Sequence, residues 1–219
     1  MRGTVFLRKA LFWMTGRPVL MDRVRNHVYR WAWERLSALA PGSSVLDIGS
    51  RNSSLPAFLA WRGFAVTSCE RDERWREFHD GLGRRWSAGY RFVQDDVRTL
   101  PTDLRFDAVL SLFALQHAQE SDRECHAAAA KLVARGGIFL SAVESTSGNT
   151  HWDRGRIDGD LRVYGPDDRQ SRIVEPLEEK GLTVVDQRFL IDSGRRIVSV
   201  PPPQFSGSGI WLVMARKPL

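Results

Sequence analysis

Ser44-Val45-Leu46-Asp47-Ile48-Gly49-Ser50-Arg51-Asn52-Ser53 is the segment around which the rest of the chain arranges itself. A short apolar run ends near an acid, breaks into a small polar turn and re-emerges at Leu55 as an amphipathic stretch. This pattern predicts a buried parallel strand, a tight loop and a helix, the unit with which α/β folds hold nucleotides. Gly49 lets the backbone pass close to a ligand, and the helix start beyond it presents free N–H groups.

Working outward, Met21–Leu39 carries Val24, Val28, Trp31, Ala32, Leu36 and Leu39 at three- and four-residue steps, an amphipathic helix that Pro41-Gly42 ends. On the other side, helix Ser54–Arg62 leads through Gly63 into strand Phe64–Cys69. Asp72 caps a helix running to about His79, and Gly81–Gly89 reads as a loop before a third strand at Tyr90–Val93. A fourth strand is predicted at Phe106–Leu112, and Ser121-Asp122-Arg123-Glu124 is a capping box for an Ala-rich helix to Arg135. Gly136-Gly137 closes that helix and Ile138–Val143 is a fifth strand. Strands alternating with helices at this spacing predict an α/β, Rossmann-like, doubly wound sheet with right-handed crossovers.

Beyond it the pattern loosens. Glu144–Gly165 is long and irregular, and Asp167–Gly181 is a helix bent or shortened at Pro176. Thr183–Ile191 and Gly209–Ala215 are strands, separated by an extended loop containing Pro201-Pro202-Pro203.

The chain has 219 residues, 42% of them hydrophobic and 26% charged, enough for one substantial core. No apolar run approaches bilayer length, and Arg8 and Lys9 interrupt any signal-peptide core at the N-terminus. Cys69 and Cys125 suit reduced thiols better than a disulfide framework, so a cytoplasmic protein is expected, with Cys69 packed in a strand. The formal net charge of +6 is unevenly spread: residues 1–43 hold eight basic residues against Asp22 and Glu34, and the remainder balances. Residues 1–43 therefore read as a basic, helical extension, packed on the sheet edge or serving as a lid, and 44–219 as the main domain.

In an open parallel sheet, ligands bind at the carboxyl ends of the strands. Three successive strand ends here bring acids: Asp47, Glu70 and Asp95-Asp96. Glu70 follows Gly49 by 21 residues, the separation at which a carboxylate reaches a ribose diol. Asp96, one strand further out, is placed to accept from an adenine amino group.

With these motifs in order, residues 41–216 resemble the class I S-adenosylmethionine-dependent methyltransferases. The family's Asp-x-Gly-x-Gly-x-Gly motif corresponds to Asp47 through Ser53, its ribose-binding acid to Glu70, and its acid-then-Leu-Pro motif to Asp95 through Pro101. Phe106-Asp107-Ala108-Val109-Leu110-Ser111, Leu115-Gln116-His117 and Arg135-Gly136-Gly137-Ile138-Phe139-Leu140 resemble its fourth strand, the following segment and the turn into the fifth. The resemblance implies seven strands, mostly parallel, the last antiparallel and inserted beside the fifth. It implies S-adenosyl-L-methionine as methyl donor, S-adenosyl-L-homocysteine as product, and cofactor contacts from Asp47, Gly49, Ser50, Arg51, Asn52, Glu70, Arg71, Asp95, Asp96, Val97, Ser111 and Leu112.

Two departures stand out. Arg51 and Ser53 occupy positions where the family usually has glycine, so Arg51 is either strained, solvated or a contact to the cofactor's carboxylate. Ser111-Leu112-Phe113-Ala114 differs from the signature of enzymes that methylate nucleic-acid bases, and Ser111 stands where metal-dependent relatives place a carboxylate, so no metal is expected. Candidate general bases are His117, His151 and Glu144; Trp152 and Tyr164 are candidates to line an acceptor pocket. Methyl transfer to an O or N of a small molecule, such as a sugar or secondary metabolite, is the preferred expectation. An RNA or tRNA methyltransferase using the basic extension, and an inactive cofactor-binding relative, are the alternatives.

Overall fold

The computed structural model describes residues 23–51, 53–85, 89–154, 160–194 and 196–219. Asn52 and most of the basic extension lie outside them. Helix α1 (Arg23–Leu36) leads into β1 (Ser44–Ile48), α2 (Leu55–Trp61) and β2 (Ala65–Cys69). A 3-10 turn at Glu73–Trp75, capped by Asp72 through the Arg74 amide, runs into α3 (Arg76–Arg85). Then come β3 (Tyr90–Val93), β4 (Phe106–Leu112), two 3-10 turns, α4 (Asp122–Lys131) and β5 (Val133–Thr146). The short strands β6 (His151–Asp153) and β7 (Leu161–Val163) precede α5 (Pro166–Arg169), a π turn (Gln170–Val174) and α6 (Glu175–Glu179). The chain closes with β8 (Thr183–Asp192), β9 (Ile197–Val200) and β10 (Ser208–Arg216).

The sheet order is β3-β2-β1-β4-β5-β10-β8-β9. Neighbours from β3 to β5 pair in parallel, whereas β10 pairs antiparallel with both β5 and β8. After β3 the chain returns to the other side of β1, so the order reverses between β1 and β4, and the crevice opens there. Strand residues alternate between two cores: Val45, Ala108, Leu110 and Leu140 pack on one face, and Leu46, Val109, Phe139 and Val143 on the other. Both faces are covered, which is why these strands read as continuous apolar runs.

Helix α1 joins the first of these cores through Val28, Tyr29, Trp31, Ala32 and Leu36. Its Arg35 pairs with Asp186 of β8 at 2.6 Å, and its Tyr29 hydroxyl lies 3.1 Å from the Ser53 hydroxyl, spanning the sheet face as far as the loop after β1.

The structure corrects several boundaries. The main sheet has eight strands rather than seven, because Ile197–Val200 pairs antiparallel with β8 inside what reads as an extended loop. The irregular Glu144–Gly165 stretch contains the β6–β7 pair, and β5 runs on to Thr146. Helix α3 extends to Arg85, through Gly81 and Gly83, which sequence reading assigns to a loop. Ser121 makes no capping bond to α4; its hydroxyl donates to the Ala118 carbonyl at 2.7 Å. The irregularity after Pro166 is the π turn at Gln170–Val174, ahead of Pro176, which sits in the first turn of α6 where a proline needs no amide partner. No helix among the described residues is long and apolar enough to cross a membrane.

Candidate functional site

The loop after β1 turns under tight constraint. Gly49 has φ +70°, donates its amide to the Cys69 carbonyl at 2.8 Å, and leaves no room for a side chain: a Cβ there would sit 2.5 Å from the Ala114 Cβ. Arg51 also has positive φ, +42°, and its amide donates to Glu70 Oε2 at 3.2 Å. The other Glu70 oxygen accepts the Asp72 amide at 2.9 Å, so this one carboxylate ties the β1 loop to the end of β2. Each oxygen keeps a lone pair for a further donor.

Behind the loop lies a support that the sequence did not single out. His79 of α3 is fully buried, stacked on Phe92 with ring centroids 4.6 Å apart. Its Nδ1 bonds the Tyr90 hydroxyl and its Nε2 lies 3.4 Å from Ser50 Oγ. Burial pulls its pKa down to about 4, so the ring is neutral at physiological pH. Burial likewise pushes Asp47 up to about 8, with the Glu70 charge adding to it.

An open cleft of about 580 Å³ lies at these strand ends. Gly49, Arg51, Glu70, Arg71, Asp95, Asp96 and Val97 line it, as the sequence leads one to expect. Asp96 is held by Arg98 at 2.8 Å and Arg71 at 3.6 Å, and the Arg98 bond draws its carboxyl below the usual range. Burial first, then the Asp95 and Glu70 charges, push the Cys69 thiol up to about 12. Four expected residues do not line it. Asp47 and Ser50 are buried beneath the loop, Ser111 is wholly buried with its Oγ accepting the Leu115 amide at 3.4 Å, and Leu112 joins the core. Asn52 is outside the described residues. The lining not assigned to the cofactor from sequence, Ala114, Leu115, Ala118 and Cys125, is apolar or small.

A second, larger cavity of about 1250 Å³ including its open mouth adjoins the first, and His117 lines both. Its walls include same-face pairs two residues apart, His151 and Asp153 of β6, Leu161 and Val163 of β7, and Leu190 and Asp192 of β8, together with the run Ser208–Ile210 of β10. Val24, Arg25, Phe113, Gln116, Glu144 and Ser145 line the rest. The three candidate bases thus converge on one space. His117 Nδ1 lies 3.1 Å from the Asp160 carbonyl, which can only accept, so Nδ1 carries a proton in this contact.

Trp152 and Tyr164 do not line this cavity. Trp152 is the odd residue between His151 and Asp153, so it faces away, where the Arg162 guanidinium stands 4.7 Å over its ring. Tyr164 is wholly buried and its hydroxyl donates to Asp122 Oδ2 at 2.8 Å. Asp122, also fully buried, is ion-paired with Arg162 at 3.0 Å and Arg172 at 2.8 Å, and Arg162 reaches Asp168 at 3.0 Å. This network fastens the β6–β7 wall to α4.

All three non-glycine residues with positive φ among those described belong to this region: Arg51, Phe113 (+61°) and Gln119 (+55°), the last directly after the cleft residue Ala118. Such backbone costs roughly 1–3 kcal/mol each.

Residues 46–141 match the family described as "Methyltransferase domain". Among solved structures, the chain is similar to the Burkholderia thailandensis 1,6-didemethyltoxoflavin-N1-methyltransferase with bound 1,6-didemethyltoxoflavin and S-adenosylhomocysteine. The TM-score is 0.68 at 22% identity, covering 100% of this chain and 90% of the other. It is similar to the glycopeptide N-methyltransferase MtfA complexed with S-adenosyl-L-methionine, with TM-score 0.63, 17% identity, and 87% and 92% coverage. It is also similar to the [4+2]-cyclase SpnF, with TM-score 0.69, 16% identity, and 88% and 81% coverage. No curated protein matches it in sequence.

Proposed function

On the premise that this chain is a class I S-adenosylmethionine-dependent methyltransferase by domain and fold, we propose that it methylates an O or N of a small molecule. The observation that carries this reading is the pair of adjoining cavities with His117 in the wall of both. The cleft at the ends of β1, β2 and β3 fits the adenosyl donor: Glu70, held by the Arg51 and Asp72 amides, is the proposed ribose acceptor, and Asp96 lies at the next strand end. Bound S-adenosylmethionine supplies an activated methyl group. The protein's part is alignment of the acceptor, exclusion of water and removal of a proton.

The second cavity is the proposed acceptor site. Its walls mix apolar and polar side chains in a volume suited to a small ligand. His117 is the proposed base; His151 and Glu144 lie within the same space and are the proposed polar contacts.

Calorimetry with S-adenosylhomocysteine tests the donor half of this reading, with saturable binding expected. Incubation with S-adenosylmethionine and small-molecule acceptors, read by S-adenosylhomocysteine release, tests the other half. RNA methylation with none on small molecules would overturn it.

A further inference from the structure

At its carboxyl end β4 stops before β5 does. Their last pair is Leu112 with Ala142, and the Phe113 amide donates to the Ala142 carbonyl at 2.8 Å. Residues two apart in a strand aim their peptide groups the same way, so the Glu144 amide faces the side on which β4 has already ended. Gln116 stands in for the missing strand: its Oε1 accepts that amide at 2.8 Å. The 3-10 turn that carries Gln116 is fixed in turn by the His117 and Ala118 amides, which donate to the Ala114 and Leu115 carbonyls at 3.0 Å each.

A backbone N–H can only donate, so Oε1 is settled on that side and Nε2 is turned away from it. Gln116 is 2% exposed and lines the second cavity, and among the described residues nothing accepts from its Nε2. A carboxylate would accept the Glu144 amide as well; what the carboxamide adds is a pair of N–H donors at the cavity wall. Around them the wall is largely apolar, with Phe113, Leu161, Val163, Leu190 and Ile210. The neighbours of Gln116 in the turn mark its place: Leu115 lines the donor cleft and His117 lines both cavities.

We propose that Gln116 selects the acceptor: a largely apolar small molecule that presents a neutral lone pair, a carbonyl oxygen or ring nitrogen, to Nε2 close to the atom that is methylated. This rests on the assignment of the second cavity to the acceptor. When a ligand expels the water from such a wall, a buried donor left unmatched costs about tenfold in affinity. A ligand group that is itself only a donor meets the same penalty, so the amide discriminates by the sense of the hydrogen bond as well as by its presence.

The test uses the full chain loaded with S-adenosylhomocysteine, loading being verified by calorimetry, and two probes of similar shape, 1-indanone and indane. In the parent protein, 1-indanone is expected to move the Gln116 side-chain amide proton signals downfield, and indane to leave them in place. Gln116→Met is expected to weaken 1-indanone about tenfold while indane stays within about twofold, and S-adenosylhomocysteine still binds. An equal loss of both probes reduces Gln116 to a structural tie for β5 and overturns the proposal, as does an unchanged affinity for 1-indanone or the same amide shift with either probe. If neither probe disturbs the Leu161 and Val163 methyl signals, the acceptor-site reading itself falls, and failure of S-adenosylhomocysteine to bind removes the donor site instead.

Discussion

Around β1 the cleft is lined by runs of neighbours at strand ends, Ile48-Gly49, Cys69-Glu70-Arg71 and Asp95-Asp96-Val97, whereas the second cavity takes alternate residues from β6, β7 and β8 and short runs from β5 and β10. The first arrangement follows from a parallel sheet, whose carboxyl ends all point one way, so each loop contributes its first residues to one crevice. The second arises where β10 inserts antiparallel beside β5 and a small β6–β7 pair stands against it. One region follows from the parallel sheet alone. The other depends on the antiparallel insertion beside it.

The contrast breaks most clearly at the shared wall. His117→Gln is expected to lower kcat by about 10²–10⁴-fold, the range for loss of a general base, with little change in S-adenosylhomocysteine affinity; single-turnover rates and calorimetry separate the two. A fall under about tenfold would remove the base role. Next in size, Asp122→Ala leaves Arg162 and Arg172 without their buried partner and should cost about 3–5 kcal/mol in urea unfolding. If the two regions are independent, the surviving folded protein still binds S-adenosylhomocysteine.

Glu70→Ala acts on the other side, weakening that binding by about 1.5–3 kcal/mol while leaving the β6–β7 wall intact. Unchanged affinity would reduce Glu70 to a loop tie. A further effect is graded by pH. His79 and His126, both held near 4 by burial, take up protons on unfolding below the ordinary value of 6.5. Stability is therefore complete above pH 6.5 and falls as pH drops toward 4, by about 1.4 kcal/mol per unit for each ring. His79→Gln should remove about half of that slope in denaturation at stepped pH, and a slope as steep as the parent's would count against its burial as a neutral ring.

The same contrast explains what the sequence made legible. Strand-end acids and loop glycines are local signals, so Glu70 and Asp95-Asp96 could be placed at the strand ends from spacing, while Arg71 came only with the family resemblance. Gly81 and Gly83 misled, because two glycines suggested a loop where helix α3 continues. Trp152 misled through parity: without the β6 register, nothing distinguishes it from His151 and Asp153 as a wall residue. Arg25, Asp153 and Asp192 meet only through tertiary packing, and the edge strand β9 is a short run next to prolines that periodicity cannot separate from loop. His79 was visible only as a residue late in a predicted helix; its role depends on Tyr90 and Phe92 arriving from β3.

The left-handed backbone at Arg51, Phe113 and Gln119 bears on how this protein can be improved. Glycine relieves such strain, so Phe113→Gly or Gln119→Gly offers a route to higher melting temperature. Yet Phe113 is a wall of the second cavity, and Gln119 follows the residue that helps close the first. A selection for thermal resistance alone is drawn to the positions that shape the two chambers, and it trades turnover for heat tolerance there.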